Sequence, residues 1–425
     1  MQYKIFWCKT NKYYTEKWLN TKYLEDRMWV FVASCIVTEK AKSKWLKFVI
    51  STIEDFESEE AKLYLSGCWT IKKWDLADDF YVTYPELQKF KEKIVLLWED
   101  PIKEWIQEKI EKLKSKSLFT RKYLIIQNWC DNYCTFCVTI QARWGHTSRE
   151  TEEIINEIND FVQSGWKEVV ITGTNLWAWW TKNTKNYGET KFAELLDLIL
   201  KETSIERLRI SSLWVEYINK ELLETLKDPR IYAHLHLSIQ SGSDKILKLM
   251  NRNYSRNELI GKLEEIRKIK RIDWVMLSIW ADFIVWFPGE EDSDFNDTLD
   301  IIRRFQITKV HAFPFSKHEN RDSIPAAKFP NQIKNHIKSE RMKDILKAWE
   351  NIRNQFLSDN SNKELKLLIE KTNWETFSGW SENYIFLNEK NFETALPAEI
   401  KRWNIIKGIY RYIPEIKDEN SDSWF

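Results

Sequence analysis

Six cysteines carry most of the chemistry legible in this chain, and they fall into two groups of three. Cys130, Cys134 and Cys137 lie within WCDNYCTFC, a CxxxCxxC spacing that puts three thiols on one tight loop. A [4Fe-4S] cluster takes four thiolates, so three leave one iron open to a substrate or cofactor group. A zinc site would want a fourth Cys or His at a defined short spacing, and His146 is the nearby candidate. A set of inert buried thiols is the remaining reading. Cys8, Cys35 and Cys68 are spread over the first hundred residues, and each closes a short apolar run: YKIFWC, VFVASC and LYLSGC. Neighbouring parallel strands end on one edge of a sheet, so these distant thiols could meet in space.

The elements that must position these groups follow from periodicity. At 425 residues the chain has length for two or three domains. In the first hundred, apolar runs alternate with helical stretches at Glu39 to Ile53 and Tyr84 to Leu97, which predicts α/β layering with a largely parallel sheet. A charged stretch from Ile102 to Ser117 reads as a helical connector. From Tyr123 to about Pro314 the alternation is regular. Strands are expected at YLIIQ (from Tyr123), EVVIT (from Glu168), RLRIS (from Arg207), LHLSIQ (from Leu235), FIVWF (from Phe283) and VHAFPF (from Val310). Helical patterns fall at Glu150 to Ser164, Lys191 to Glu202, Asn219 to Lys227, Asn257 to Ile269 and Phe295 to Phe305. About six βα repeats predict an open or partial βα barrel with its chemistry at the C-terminal strand ends. Thr172, Gly173, Ser212 and Gln240 sit at such ends, where capping or turn roles are the plain alternative. His234 and His236 share one face of a strand and read as structural. A charged helix over about 333 to 357 precedes short alternating runs from Leu365, a small all-β module with an acidic end at Glu415 to Asp422. The division is 1–108, a linker 109–122, 123–357 and 363–425.

Charge is balanced, with 65 Lys and Arg against 64 Asp and Glu, so a polyanion must be met by local patches. Arg121 with Lys122, Arg143 with Arg149, and Arg252 with Arg256 are the candidates. No run of 18 apolar residues and no signal-peptide pattern is found, so a cytoplasmic, non-membrane protein is expected.

CxxxCxxC after the first strand of a βα-repeat domain resembles the radical S-adenosylmethionine superfamily. WCDNYCTFC followed by Arg143 and Ser148-Arg149 is similar to its methylthiotransferase branch. The likeness extends to LHLSIQSGSDKILKLMNRNYSR from Leu235, to FIVWFPGEEDSDF from Phe283, and to the terminal β module, placed like that branch's RNA-binding TRAM domain. It implies an N-terminal Rossmann-like α/β domain, a central partial (β/α)6 radical SAM barrel and a small all-β TRAM-like module. It further implies two [4Fe-4S] clusters, an auxiliary one on Cys8, Cys35 and Cys68 and one on Cys130, Cys134 and Cys137 that binds S-adenosylmethionine. Cleavage of that sulfonium would yield a 5′-deoxyadenosyl radical, which takes hydrogen from C2 of a modified adenine. The cluster on Cys8, Cys35 and Cys68 would present the sulfur to be inserted there, and a second S-adenosylmethionine would supply the methyl group. Thr172 and Gly173 stand where backbone approaches the methionine moiety; Ser212 and Gln240 stand where ribose or carboxylate is contacted. The implied partners are tRNA, at adenosine 37 of the anticodon loop, and an electron donor such as flavodoxin or ferredoxin. ITGTNLWAW from Ile171 and Cys8-Lys9 with Asn11 are closest to the threonylcarbamoyladenosine subfamily. Isopentenyladenosine in tRNA and a ribosomal-protein aspartate are the alternative substrates.

One compositional feature stands apart. At an average usage of about 7% a chain this long holds roughly 30 Gly, yet this one has 10 Gly and 23 Trp. By the resemblance, Trp7, Trp129, Trp144, Trp177 and Trp286 stand where relatives carry Gly, on loops and strand ends where a Cβ would crowd a ligand. The expectation is that many of these Trp are glycines of the natural protein, encoded by a codon, plausibly UGA, that the source organism reads as Gly. Trp105 and Trp349, on helical stretches, fit as genuine Trp.

Overall fold

The computed structural model describes residues 2–6, 9–19, 29–34, 38–58, 60–67, 77–97, 119–128, 130, 132–138, 146–181, 190–317, 324–333, 335–373, 376–395 and 400–414. Cys8, Cys35, Cys68, Trp7, Trp105, Trp129, Arg143, Trp144, the connector and the acidic end lie outside the described residues. The chain forms two compact units. One comprises 1–119, 129–146 and 316–328, the other 120–128, 147–315 and 329–425.

The first unit holds β1 (Gln2–Ile5), α1 (Lys9–Leu19), β2 (Trp29–Ser34), α2 (Glu39–Glu54), β3 (Lys62–Gly67), α3 (Ala77–Thr83) and β4 (Ile94–Leu96). The strands form one parallel sheet in the order β1-β2-β3-β4. Phe31, Ala33, Tyr64 and Leu97 make a core cluster along it. Thr38 caps α2 by accepting from the Ala41 amide at 3.1 Å. The stretch 84–97 is not the single helix its pattern suggests. Pro85 opens a 3-10 segment, Pro85–Lys93, and the apolar Ile94-Val95-Leu96 run leaves it to pair beside β3. Register puts Ile5 beside Ala33 and Ser34 beside Gly67, so β1, β2 and β3 end at one edge. Each of those strands runs directly toward one of Cys8, Cys35 and Cys68 in sequence.

The second unit begins with β5 (Lys122–Asn128), β6 (Thr147–Ser148), α4 (Thr151–Gln163), β7 (Glu168–Gly173), α5 (Phe192–Glu202), β8 (Arg207–Ile210) and α6 (Lys220–Thr225). It continues with β9 (His234–Gln240), α7 (Asp244–Leu249), α8 (Arg256–Arg267), β10 (Ser278–Val285), α9 (Asp292–Arg304), β11 (Lys309–Pro314) and α10 (Asn335–Asp359). Strands β5, β7 and β8 pair in parallel, as do β9, β10 and β11. The parallel bridges Leu208 to Ile231 and Leu213 to Leu237 join the two sets, and antiparallel β6 flanks β5. Six parallel strands in sequential order, separated by helices, are the expected repeat. The largest boundary difference from the sequence reading is at β10, and one helix is added. Strand β10 starts at Ser278, five residues before Phe283, because Ser278 to Ala281 already pair with β9. Helix α7 is an additional short element, entered from Ser243.

The terminal module has β12 (Glu364–Thr372), β13 (Phe377–Ser381), β14 (Phe386–Asn388), β15 (Phe392–Glu393) and β16 (Ile405–Tyr410), antiparallel in the order β14-β13-β12-β16-β15. Leu365, Leu367, Ile369, Phe377, Leu387 and Ile406 supply its core, with Phe356 of α10. No helix among the described residues is long and apolar enough to cross a membrane.

Candidate functional site

The three clustered cysteines follow β5 directly in sequence. Cys134 is buried and Cys130 and Cys137 are half-buried; none forms a disulfide. The Cys137 amide donates to the Cys134 carbonyl at 3.0 Å, which closes the tight turn the spacing demands. The Ala326 amide donates to the Thr135 carbonyl at 3.0 Å, so the segment 324–328 braces the loop. Tyr133, at φ 53°, is largely exposed. Three reduced thiols on one braced, partly accessible loop suit an iron–sulfur cluster with three protein ligands.

In the second unit the strand ends are built around Gln127 and Gly173. A Cβ on Gly173 would lie 2.7 Å from the Gln127 carbonyl, so that position accepts only Gly. The fully buried Gln127 side chain accepts from the Asn175 amide at 2.8 Å and donates to the Asn128 carbonyl at 2.7 Å. Asn175 donates in turn to the Tyr217 hydroxyl at 3.3 Å. Thr172 and Gly173 are therefore fixed by Gln127 and Asn175, two residues the sequence reading passed over. Gln240 ends β9 buried, at φ 71°, a left-handed backbone that a non-Gly side chain adopts at a cost. Beyond it, a Cβ on Gly242 would meet the Asp297 carbonyl at 2.5 Å.

Ser212 is not isolated. Its hydroxyl lies 3.1 Å from His236 Nδ1, and His236 Nε2 lies 2.8 Å from Asp282 Oδ1. That same oxygen is 3.2 Å from His311 Nδ1. The chain Ser212–His236–Asp282–His311 thus crosses from the end of β8 through β9 and β10 to β11. The imidazoles hold the Asp282 carboxyl well below the usual carboxylate range, outweighing the opposite effect of its burial. Their side chains keep 12%, 19% and 12% exposure for His236, Asp282 and His311, so the cluster is reachable. The HxH pattern by itself reads as structural. The signal available was that His236, Asp282 and His311 all fall on alternate, non-apolar positions of three consecutive strands.

Beneath this cluster the same face is closed by aromatic rings. Trp280 lies 4.5 Å from Tyr384 of the β module, centroid to centroid, and His234 lies 4.2 Å from the same ring. Arg209 stacks on Tyr384 at 4.1 Å. Lower still, Glu168 accepts from Tyr232 at 2.8 Å and pairs with Arg121 at 2.8 Å, while Arg121 also pairs with Glu370. Of the basic pairs expected to meet polyanion, Arg121 and Lys122 are therefore buried and engaged, Lys122 over the Trp166 ring at 4.6 Å. Arg149 is paired with Glu157 at 2.9 Å. Arg252 is buried against Glu216 and the Trp214 ring, and Arg256 grips the Gly242 and Asp297 carbonyls at 2.8 Å each. Arg252 and Arg256 each also hold a carbonyl of their own motif, Ser238 and Gly242.

The FPGE loop is equally ordered. Glu290 accepts from the Trp286 amide at 2.8 Å and pairs with Arg341 at 2.7 Å; burial nonetheless pushes its carboxyl up to about 7. Trp286 is held at φ 66°, as a glycine position would be. Trp180, Trp274 and Trp403, outside the motif positions, also have positive φ, at 63°, 59° and 67°. Trp177, by contrast, sits in a 3-10 turn, fully buried against Phe192 and Tyr217. Trp349 lies in α10 and its indole N–H donates to the Thr308 carbonyl at 2.9 Å, as a native Trp would.

Residues 124–302 match the Radical SAM superfamily. The chain is 32% identical over 406 residues to the threonylcarbamoyladenosine tRNA methylthiotransferase MtaB of Thermotoga maritima, an alignment that covers 90% of this chain and 89% of that one. It is 33% identical over 304 residues to the protein of that name in Bacillus subtilis, covering 69% of this chain and 64% of that one. The tRNA-2-methylthio-N(6)-dimethylallyladenosine synthase of Acetivibrio thermocellus is 31% identical over 264 residues, 61% of this chain and 53% of the other. With the three-thiol loop, the six-stranded parallel repeat and a relative similar along nearly its whole length, the chain belongs to the radical SAM methylthiotransferase family.

Proposed function

We propose that this protein inserts a methylthio group at C2 of N6-threonylcarbamoyladenosine at position 37 of tRNA. The observation that carries the reading is the similarity to the Thermotoga maritima protein over 90% of the chain. The polar cluster from Ser212 to His311 supports a polar N6 substituent over a hydrocarbon one. Methylthiolation of N6-isopentenyladenosine is the second reading, favoured by the Acetivibrio thermocellus relative.

Cys130, Cys134 and Cys137 would hold the [4Fe-4S] cluster that binds S-adenosylmethionine, and Cys8, Cys35 and Cys68 a second one. When bound, these groups supply the one-electron chemistry that activates a C–H bond which no side chain here could ionise. The chain's own residues place and shield. The braced cysteine loop fixes three ligands, and the Gln127–Asn175 pair sets the backbone at Thr172 and Gly173 for contact with the methionine moiety. Gln240, held left-handed, aims at ribose or carboxylate. Ser212 acts through His236. The reductant is a flavodoxin or ferredoxin, and the setting is the cytoplasm.

Mass spectrometry of tRNA nucleosides from a methylthio-deficient host expressing the chain tests the substrate. Appearance of 2-methylthio-threonylcarbamoyladenosine supports the reading, and its isopentenyl counterpart alone overturns it. Two clusters per reconstituted chain, falling to one when Cys8, Cys35 and Cys68 are all changed to Ala, tests the cofactor set.

A further inference from the structure

We propose that His236, Asp282 and His311 form the specificity element that selects the N6 substituent of the substrate base, an inference that rests on the threonylcarbamoyl reading. Three observations carry it. Each residue comes from a different one of three adjacent parallel strands, and register sets Asp282 beside His311 and Trp280 beside His236. One carboxylate oxygen receives both rings, at 2.8 and 3.2 Å, with Ser212 at the far nitrogen of His236. The rings of Trp280 and Tyr384 close the same face one step toward the strand starts, so the cluster is the polar floor of an otherwise aromatic-lined face.

With both imidazoles neutral, one proton arrangement satisfies all three contacts. Asp282 accepts from Nε2–H of His236 and Nδ1–H of His311, and His236 Nδ1 accepts from Ser212. Each imidazole is thereby held in one orientation with its polarity raised by a shared anion. A threonylcarbamoyl substituent brings a urea, a hydroxyl and a carboxylate, groups that can replace the water such a cluster holds. An isopentenyl substituent has none, and would strip that water without returning a hydrogen bond. Sites built to hydrogen-bond a substrate group discriminate strongly against the analogue that lacks it. The same three ligand atoms lie within 4.8 Å of one another, a set that a divalent metal could also use. The Asp282 oxygen engaged by both rings favours the hydrogen-bonded role.

The test uses the full chain, anaerobically reconstituted, on tRNA bearing either modified adenosine, with His311→Phe and His311→Gln as variants. For the parent, the threonylcarbamoyl substrate is expected to be preferred; a parent that modifies only isopentenyladenosine refutes the proposed function before any variant is measured. For His311→Phe we expect kcat/KM on the threonylcarbamoyl substrate to fall at least tenfold, chiefly through KM, with the preference shifted toward isopentenyladenosine. Iron content and tRNA-independent cleavage of S-adenosylmethionine stay at the parent level, and His311→Gln recovers part of the loss. Equal loss on both substrates, or loss of iron with it, assigns the residue to the fold and overturns the inference. So does stoichiometric zinc in the parent that disappears in His311→Phe.

Discussion

The side-chain amide of Asn11 donates to the main-chain carbonyl of Ser34. Asn11 lies on α1 just after Cys8 in sequence, and Ser34 is the residue before Cys35, so one hydrogen bond ties together two cysteine-bearing segments. The third is drawn in by Gly67, at φ 99°, where a Cβ would stand 2.5 Å from that same Ser34 carbonyl. Gly67 immediately precedes Cys68. The buried Asn11 and the sterically exclusive Gly67 thus act on one carbonyl at the edge where β1, β2 and β3 end.

Asn11→Leu and Gly67→Ala are therefore expected to lower the iron bound by the reconstituted chain toward half, while the site on Cys130, Cys134 and Cys137 still fills. Iron quantification with Mössbauer or electron paramagnetic resonance spectra checks this. Unchanged iron in both variants would show that this edge holds no cluster.

Among the described residues four tryptophans occupy left-handed backbone, and Trp274 is the cleanest, 81% exposed at φ 59°. An L-residue there costs roughly 1–2 kcal/mol that Gly does not incur, and an exposed indole returns little. Trp274→Gly should raise the unfolding free energy by about 1 kcal/mol in urea titrations. Trp177→Gly, by removing a fully buried ring, should lower it by about 3–5 kcal/mol. A stabilised Trp177→Gly, or a destabilised Trp274→Gly, would reverse the assignment of which tryptophans stand in for glycine. Codons at 7, 129 and 286 provide the independent check, since UGG there removes the idea.

Periodicity alone located the six parallel strands to within a few residues, because each carries buried Val, Ile or Leu between Gly, Asn or charged breaks. The three-thiol loop was legible because its chemistry is local. The polar cluster was not, since Asp282 and His311 gain meaning only when strand register sets them side by side. Tyr384 could not be placed either, as its contact with Trp280 spans more than a hundred residues of sequence. Arg121 and Arg252 were misread for the same reason: burial against Glu168, Glu370 and Glu216 is a property of the assembled sheet. Backbone φ was likewise invisible, so motif positions exposed Trp286 but not Trp180, Trp274 or Trp403.

Arg121 links β7 to the terminal module by pairing with Glu168 and Glu370. Glu168 is fully buried; the guanidiniums of Arg121, Arg207 and Arg209 and the hydrogen bond from Tyr232 keep its carboxyl below the ordinary range in spite of burial. Removing one partner of such a network strands the others. Glu168→Ala should cost about 3–5 kcal/mol, whereas Glu370→Gln, at the more accessible end, should cost about 1 kcal/mol or less. Equal effects in denaturant titrations would mean that the network is not organised around Glu168.

Glu290 supplies a pH signature. Burial raises its carboxyl to about 7 in the folded chain, against the ordinary 4.5. The folded state therefore holds this proton more tightly than the unfolded state between those values. The stabilisation is complete below the unfolded value and is lost as pH rises through the folded one, by up to roughly 3 kcal/mol. Glu290→Gln keeps a neutral side chain at every pH and leaves Arg341 its second partner, Asp292, at 2.8 Å. The unfolding free energy of the parent is thus expected to decline from about pH 5 to pH 7.5 relative to that of the variant, and the two curves to run parallel above it. Curves that stay parallel throughout would show that Arg341 holds Glu290 ionised across the whole range.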